Sequence, residues 1–254
     1  MRIHKTALYF FLIILCIATN ASAQSSNTTQ RAFVEPAYID SMIHHEKYFT
    51  ANEKTLAPNN KSWFVFESGT KPILFIAGHA TAQTREGRIK GADGGTGSLA
   101  IELNKLSKVP VLYTTYQSPQ DPNFYTESAF RDTLAKIIDI VKPLLVIDLH
   151  ASNSSRPYDV DYGTMNGKSF LNRIDFLDNL KSILYKEGLV SQSQDYFPAE
   201  KNNTITKFIS SKGIPCIQLE INGNYLSPEK GSIYAQKTAQ LLQGLMRMIN
   251  SLSK

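Results

Sequence analysis

The sequence predicts a three-layer α/β/α domain, in which helices cover both faces of a central mixed, mostly parallel sheet. Short apolar runs rich in Val, Ile, Leu and Phe recur along the chain and are typical of buried strands. Longer segments between these runs are interpreted as helices, and such alternation places helices on both faces of a sheet. The chain has 254 residues, of which 42% are hydrophobic, which is enough for one well-buried core.

The predicted elements follow one another from residue 35 to residue 249. Helices are predicted at 35–48, 95–106, 125–141, 169–187, 205–211 and 232–249. Strands are predicted at 63–66, 72–77, 110–114, 144–149, 159–162 and 215–221. Pro36 opens the first helix and Pro143 stops the third. The residues Glu67-Ser68-Gly69-Thr70 predict a hairpin turn between the first two strands.

The first 23 residues have the pattern of a secretory signal peptide. Arg2 and Lys5 precede an apolar stretch at 7–17, and Ala21-Ser22-Ala23 provides a small-x-small cleavage site. The apolar stretch is too short for a comfortable membrane span. We therefore expect a single domain over 24–254, exported to a periplasm or out of the cell, with no stable membrane insertion after cleavage. A retained N-terminal anchor helix is the alternative.

Charge and cysteine content argue against nucleic-acid binding and against an intramolecular disulfide. The 27 Lys and Arg residues exceed the 22 Asp and Glu residues by five, and loss of Arg2 and Lys5 would lower the net charge from +5 to +3. That excess is too small to predict nucleic-acid binding. Cleavage would also leave Cys216 as the single cysteine, so no intramolecular disulfide is expected. Cys216 lies in the apolar run IPCIQLEI and is interpreted as a small buried hydrophobe rather than a nucleophile.

Three predicted strands end in polar residues of the kind that carry chemistry. His79 lies near the end of PILFIAGHA, His150 lies in LLVIDLHAS, and Glu220 lies near the end of the run IQLEI. Ligands and catalytic groups of α/β sheets collect at the carboxyl ends of strands. Two imidazoles at one edge of the sheet point to a metal, with zinc as the first choice. For each histidine alone, a structural role is the alternative.

Acidic residues complete this group. Asp93 lies 14 residues after His79 at the entry to a predicted helix, where it either caps that helix or binds a metal. Asp148 lies on the same side of its strand as His150 and is placed to support it. Burial of an unpaired Glu220 would be costly, which favours a functional site. Two imidazoles, one carboxylate ligand and a second carboxylate as acid or base are the composition of a catalytic zinc site.

Two further histidines, His44 and His45, lie next to each other in the first predicted helix. Adjacent helical residues point about 100° apart, which makes them a poor chelating pair. They are interpreted as surface residues.

Four motifs in order resemble one enzyme family. PILFIAGHA, ADGGTGSLA, VIDLHAS and IQLEINGNYL are similar to motifs of the N-formylglutamate amidohydrolase family and of its relatives among poly-γ-glutamate hydrolases and zinc carboxypeptidases. The resemblance runs from about residue 71 to residue 226. It implies a phosphorylase/hydrolase-like α/β fold, one zinc ion per chain, and hydrolysis of an amide-type bond in an N-acyl or γ-linked glutamyl compound or a peptide.

The resemblance also implies roles for individual residues. His79 matches the family's first histidine ligand, His150 the histidine of its Asp-Leu-His motif, and Glu220 its acid/base glutamate. Asp93 matches the acidic ligand of the poly-γ-glutamate hydrolases. Zinc carboxypeptidases place an acidic ligand three residues after the first histidine, where this chain has Ala82.

The identity of the acidic ligand is therefore left between two residues, Asp93 and Glu86. Asp93 is preferred because Asp93-Gly94-Gly95-Thr96 resembles the family segment that leads into a helix. Glu86 remains the alternative on ligand chemistry alone.

A second departure concerns substrate binding. Asn222 stands where amidohydrolase relatives often carry an arginine, the side chain suited to a substrate carboxylate. Arg85, Arg88 and Arg156 are the candidate replacements, and Tyr225 is a candidate hydrogen-bond donor.

Two other classes remain as alternatives. A non-catalytic relative would keep the fold and bind zinc or another ligand without turnover. A serine hydrolase is disfavoured, because the chain contains no G-x-S-x-G motif.

Overall fold

A seven-stranded sheet forms the centre of the protein, and its edge carries the polar residues singled out above. The computed structural model describes residues 31–252, so the predicted signal peptide lies outside the described residues. From Phe33 onwards the described residues form one compact unit. The strands are β1 Phe64–Glu67, β2 Ile73–Ala77, β3 Gln83–Arg85, β4 Arg88–Lys90, β5 Val111–Thr114, β6 Leu145–Ser152, β7 Val160–Gly163, β8 Gln192–Gln194 and β9 Cys216–Asn222. The helices are α1 Pro36–Asn52, α2 Thr96–Ser107, α3 Ala129–Val141, α4 Ile174–Lys186, α5 Ile205–Ser211 and α6 Ser232–Ser251.

The strand order of the main sheet is β1-β5-β2-β6-β9-β7-β8. The central strands β5, β2, β6 and β9 pair in parallel, whereas β1 with β5 and β7 with β9 are antiparallel. This arrangement confirms the predicted mixed, mostly parallel sheet. The remaining strands, β3 and β4, form a separate hairpin.

Alternate residues of the central strands pack into two cores, one on each face of the sheet. Leu145, Ile147 and Leu149 of β6 pack with α1, α2, α4 and α6. Val146 faces the other way and packs with α3 and α5. Because side chains alternate along a strand, Asp148 and His150 lie on the same face as Val146. Helices on both faces of the sheet confirm the three-layer prediction.

The predicted hairpin turn at residues 67–70 is wrong. β5 lies between β1 and β2, so these two strands do not pair with each other. The segment instead runs beside the end of α2: Thr70 N donates to Lys108 O at 2.8 Å, and a Cβ on Gly69 would lie 2.3 Å from the same oxygen. The non-local strand β5 therefore pairs with β1 and β2, although the local turn pattern favours a hairpin between those two strands. Tertiary context often overrides local preferences of this kind.

Two smaller features bear on the sequence predictions. Cys216 is buried and free, in agreement with its interpretation as a small hydrophobe. Among residues 31–252, no helix combines the length and the apolar character needed to cross a membrane.

Candidate metal centre

His79, Asp93 and His150 lie together at the carboxyl edge of the sheet. One potential ligand atom from each lies within 4.8 Å of the others. Asp93 Oδ2 is 2.8 Å from His150 Nδ1 and 3.5 Å from His79 Nδ1. Both imidazoles thus turn the same nitrogen towards one carboxylate, which is a suitable donor set for a metal ion.

The sheet and one loop bring these three residues together. His79 follows the end of β2, and His150 lies near the end of the neighbouring parallel strand β6. Asp93 comes from the loop after β4, and its backbone N–H donates to His79 O at 2.7 Å. Gly95 then enters α2 with a φ of 83° against Leu226, whose carbonyl oxygen would lie 2.4 Å from a Cβ. Only glycine suits that turn, which fixes the approach of Asp93.

The second nitrogen of each histidine faces another carboxylate. Asp121 Oδ1 is 2.8 Å from His79 Nε2, and Asp148 Oδ2 is 3.3 Å from His150 Nε2. Both aspartates are fully buried. In metal sites, such a carboxylate fixes the orientation and tautomer of the ligating imidazole. The predicted position of Asp148 beside His150 agrees with this geometry.

Asp121 was missed in the sequence. It lies in the loop after β5, where no apolar run or motif marks it as functional. In the structure its carboxylate also accepts hydrogen bonds from Arg85 Nε at 2.8 Å and from the backbone N–H of Asn123 at 2.8 Å. Its position after a central strand was the one available signal.

Electrostatic interactions among these residues strongly shift the pKa values of His79, Asp93 and His150. Burial alone would lower the pKa of His79, but hydrogen bonds to Asp121 and Asp93 outweigh it and raise that pKa to about 9. Burial likewise opposes a charged His150, yet Asp148 and Asp93 raise its pKa well above the ordinary value. Burial would raise the pKa of Asp93, and hydrogen bonds from the two histidines instead hold it well below its usual range. A metal ion would therefore have to displace protons from the two imidazoles.

We expect the metal-free protein to lose stability as the pH rises from about 6 to about 9.5, because protonated His79 is favoured in the folded state. Since the folded pKa of His79 is about 9 against an ordinary value of 6.5, its contribution is complete below pH 6.5 and is lost as the pH passes 9. Urea unfolding in the presence of a chelator measures this slope. The slope should persist in His44→Ala and become shallower in His79→Gln, where His150 still contributes; a pH-independent free energy of unfolding for the unmutated protein contradicts the prediction.

Glu220 lies beside the three candidate ligands and is half-buried. It pairs in register with His150 on the neighbouring strand, and Gln218 Nε2 donates to its Oε1 at 2.9 Å. Burial raises the pKa of Glu220 to about 7. A carboxyl group with that pKa can both accept and deliver a proton near neutral pH.

These four residues line one cavity of about 370 Å³, which we call the site cavity. Its opposite wall is the loop at 197–202, and Arg85, Asn123 and Gln218 also face it. The backbone N–H groups of Tyr196 and Phe197 donate to Asp161 at 3.1 and 2.9 Å, which anchors the loop to β7.

The other predicted site residues differ in whether they line the site cavity. Glu86 is exposed at the tip of the β3–β4 hairpin and does not belong to the metal-ligand group, which contains Asp93. Arg85 lines the site cavity, held by Asp121, whereas Arg88 is exposed on β4. Arg156 lies over the ring of Tyr196, with its Nη1 3.0 Å from the Tyr196 hydroxyl, outside the lining of the site cavity.

Two residues of β9 and the turn after it are structural in this arrangement. Tyr225 is buried, and burial together with nearby Asp159 raises the pKa of its hydroxyl. The Asn222 side chain donates to the carbonyl oxygens of Ser154, Arg156 and Tyr158. Asn222 therefore fastens the loop after β6, and an arginine at this position would leave those carbonyl groups without that donor.

The comparisons with known proteins found similar solved structures only. No protein-family profile and no curated protein sequence matches this chain. The N-formylglutamate amidohydrolase of Ralstonia eutropha JMP134 matches with a TM-score of 0.57 and 13% identity, over 76% of this chain and 98% of that one. A gene product of Agrobacterium tumefaciens matches with a TM-score of 0.55 and 13% identity, over 82% of this chain and 100% of that one.

A bacteriophage poly-γ-glutamate hydrolase is also among the similar structures, with a TM-score of 0.46 and 15% identity over 80% of this chain and 92% of that one. The solved structures that resemble this chain thus include an N-formylglutamate amidohydrolase, the family that its motifs resemble. At these identities, the two stronger likenesses establish that the chain has the α/β fold of the N-formylglutamate amidohydrolase structure.

Proposed function

We propose that this protein is an exported zinc-dependent hydrolase that cleaves an amide-type bond. The observation that carries the proposal is the group of His79, Asp93 and His150, with Glu220 facing the same cavity. The fold likeness to an N-formylglutamate amidohydrolase supports the hydrolase class. The signal-peptide pattern of the first 23 residues supports export to a periplasm or beyond the cell.

The donor set fits zinc. Two imidazole nitrogens and one carboxylate oxygen are the ligands of many catalytic zinc sites. Asp121 and Asp148 stand behind the two imidazoles, as the supporting carboxylates of such sites do. One zinc ion held by His79, Asp93 and His150 would supply a Lewis acid that polarises the substrate carbonyl and lowers the pKa of water.

The protein's own residues would carry the proton transfers and position the substrate. Glu220 takes a proton from the attacking water and delivers it to the departing amine. Arg85 is the best-placed cation for a substrate carboxylate, because it lines the site cavity and Asp121 fixes its orientation. Lys201 supplies a second positive charge in that lining.

We propose an N-acyl or γ-linked glutamyl compound or peptide as the substrate. Arg85 and Lys201 are the cations in the site cavity that suit the carboxylate of a glutamyl group, and Glu200 lies in the same lining. The sequence resemblance to the amidohydrolase family points the same way. Nothing in the charge of the chain favours nucleic acid as a partner.

The test is a screen of N-acyl amino acids and of short α- and γ-linked peptides with the zinc-loaded protein. We expect release of a free amine from a glutamyl compound, and loss of that release when zinc is removed by a chelator. Zinc binding without turnover of any compound would instead support a non-catalytic relative of the same fold. Turnover that persists in chelator would contradict the role of zinc.

A further inference from the structure

A second cavity, of about 760 Å³, adjoins the site cavity. Ala151 lines both. Neighbours in the chain divide between them: Asp93 and His150 line the site cavity, whereas Gly94 and Ser152 line the second one. The candidate metal centre therefore stands at the wall between the two spaces. We call the second space the extension cavity.

The two cavities meet at the carboxyl edge of the sheet and are bounded by different segments of the chain. His150 and Glu220 are on the face that carries α3 and α5. The extension cavity is bounded by Thr50 and Ala51 of α1, which packs on the other face. A ligand that occupies both cavities must cross the edge of the sheet at Ala151. Such a ligand is long and chain-like rather than compact.

The volumes favour a ligand of that kind. The site cavity, at about 370 Å³, is near the lower end of the range of about 300–1,000 Å³ for small-molecule sites. The extension cavity is about twice as large and falls within the same range. Small residues, among them Ala51, Gly94 and Ala151, form much of its wall. A single N-acyl amino acid would leave this space empty.

Acidic residues outnumber basic ones in the wall of the extension cavity. The extension cavity holds the carboxylates of Glu46 and Glu229 against one ammonium group, that of Lys47. Both Glu46 oxygens are fixed, since Oε1 accepts from Gly95 N at 3.0 Å and Oε2 from Ser98 Oγ at 2.9 Å. A further carboxylate on the ligand would be repelled there. An uncharged or cationic group suits this cavity better.

We propose that the extension cavity binds the part of a peptide substrate that lies beyond the scissile amide bond, and that this part is uncharged or cationic. The position of the scissile bond at Glu220 rests on the proposed hydrolase function. The inference adds the substrate class: an extended peptide carrying a glutamyl group, rather than a free N-acyl amino acid. The site cavity recognises the glutamyl group, and the extension cavity recognises the rest of the peptide substrate.

The test compares binding of three compounds to zinc-loaded Glu220→Gln protein by calorimetry, so that cleavage does not interfere. The first is a γ-glutamyl amide, and the other two add three residues, alanine, alanine and lysine, either through the γ-carbonyl, with the lysine carboxyl group converted to an amide, or on the amino nitrogen. We expect one extended compound to bind about tenfold more tightly than the amide alone. Adding Ala51→Trp, an exposed position in the cavity wall, should abolish that gain.

Asp40→Trp is the matched control, because Asp40 is exposed on the same helix and lies outside the cavity lining. This variant should keep the tenfold gain, and both variants should keep their zinc. Equal binding of all three compounds, or a gain that survives Ala51→Trp, overturns the proposal.

Hydrolysis by the unmutated protein is measured with the same compounds. One outcome separates the two proposals: Ala51→Trp removes the gain in binding, but the unmutated protein hydrolyses none of the compounds. That outcome refutes the proposed reaction and supports the assignment of the extension cavity.

Discussion

Replacing His150 by alanine is expected to remove the bound metal, from about one zinc per chain to close to none, and to abolish hydrolysis. Two protein ligands would remain, and Asp93 would lose its 2.8 Å contact with His150 Nδ1. Asp148 would also become a fully buried carboxylate without its imidazole partner, which is costly. Elemental analysis of protein purified without added metal measures the zinc content directly.

Two comparisons test this result further: His150→Ala with His44→Ala, and Asp93→Asn with Glu86→Gln. His44→Ala is the histidine control, because His44 is exposed on α1. Asp93→Asn should lose most of the zinc, whereas Glu86→Gln should retain it, because only Asp93 belongs to the ligand group. Zinc loss in Glu86→Gln with retention in Asp93→Asn would reverse the assignment of the acidic ligand. A zinc-free unmutated protein whose stability is unaffected by chelator would remove the metalloenzyme proposal altogether.

Glu220→Gln is expected to retain zinc and to reduce kcat by a factor on the order of 10²–10⁴, the usual contribution of a general acid/base. The amide is close to the carboxyl group in size, and its oxygen can still accept the hydrogen bond from Gln218. It cannot take a proton from water at neutral pH, so the loss should be in chemistry rather than in folding. Steady-state kinetics together with zinc analysis separates the two effects.

The pH profile gives an independent readout of the same residue. Because Glu220 must lose its proton to act as a base, kcat/KM should rise with pH, and a bound metal ion beside it would place that rise below the pKa of about 7 that burial gives the metal-free residue. This limb of the profile should be absent from the residual activity of Glu220→Gln. Glu127→Gln, an exposed carboxylate outside the cavity lining, should keep the profile. Full activity in Glu220→Gln removes Glu220 from its proposed role.

The sequence was most informative where local pattern and tertiary role coincide. β2 is a continuous apolar run and β6 and β9 are largely apolar because both faces of the sheet are covered, and such runs are recognisable without a structure. The polar residues at their ends stand out for the same reason. His79, His150 and Glu220 could therefore be selected as candidates from local sequence alone.

Residues outside the strands were harder to predict. Asp93 and Glu86 are both acidic residues in one polar stretch, and nothing in their spacing separated them without the family resemblance. The β3–β4 hairpin carries Glu86 outward, whereas a hydrogen bond from Asp93 N to His79 O folds Asp93 inward. The error at residues 67–70 has a similar origin, since β5 is remote in sequence from the turn that it displaced.

By itself, the sequence determined the layered α/β architecture, the strand ends that carry chemistry and the kinds of ligand present there. These properties follow from the alternation of apolar and polar residues along the chain, which is local information. Only the tertiary structure decided which acidic residue meets the two histidines, that Asp121 stands behind His79, and that a second cavity adjoins the site. Those facts depend on loops whose course is set by single hydrogen bonds and close contacts between distant residues, and such contacts leave no periodic trace in the sequence.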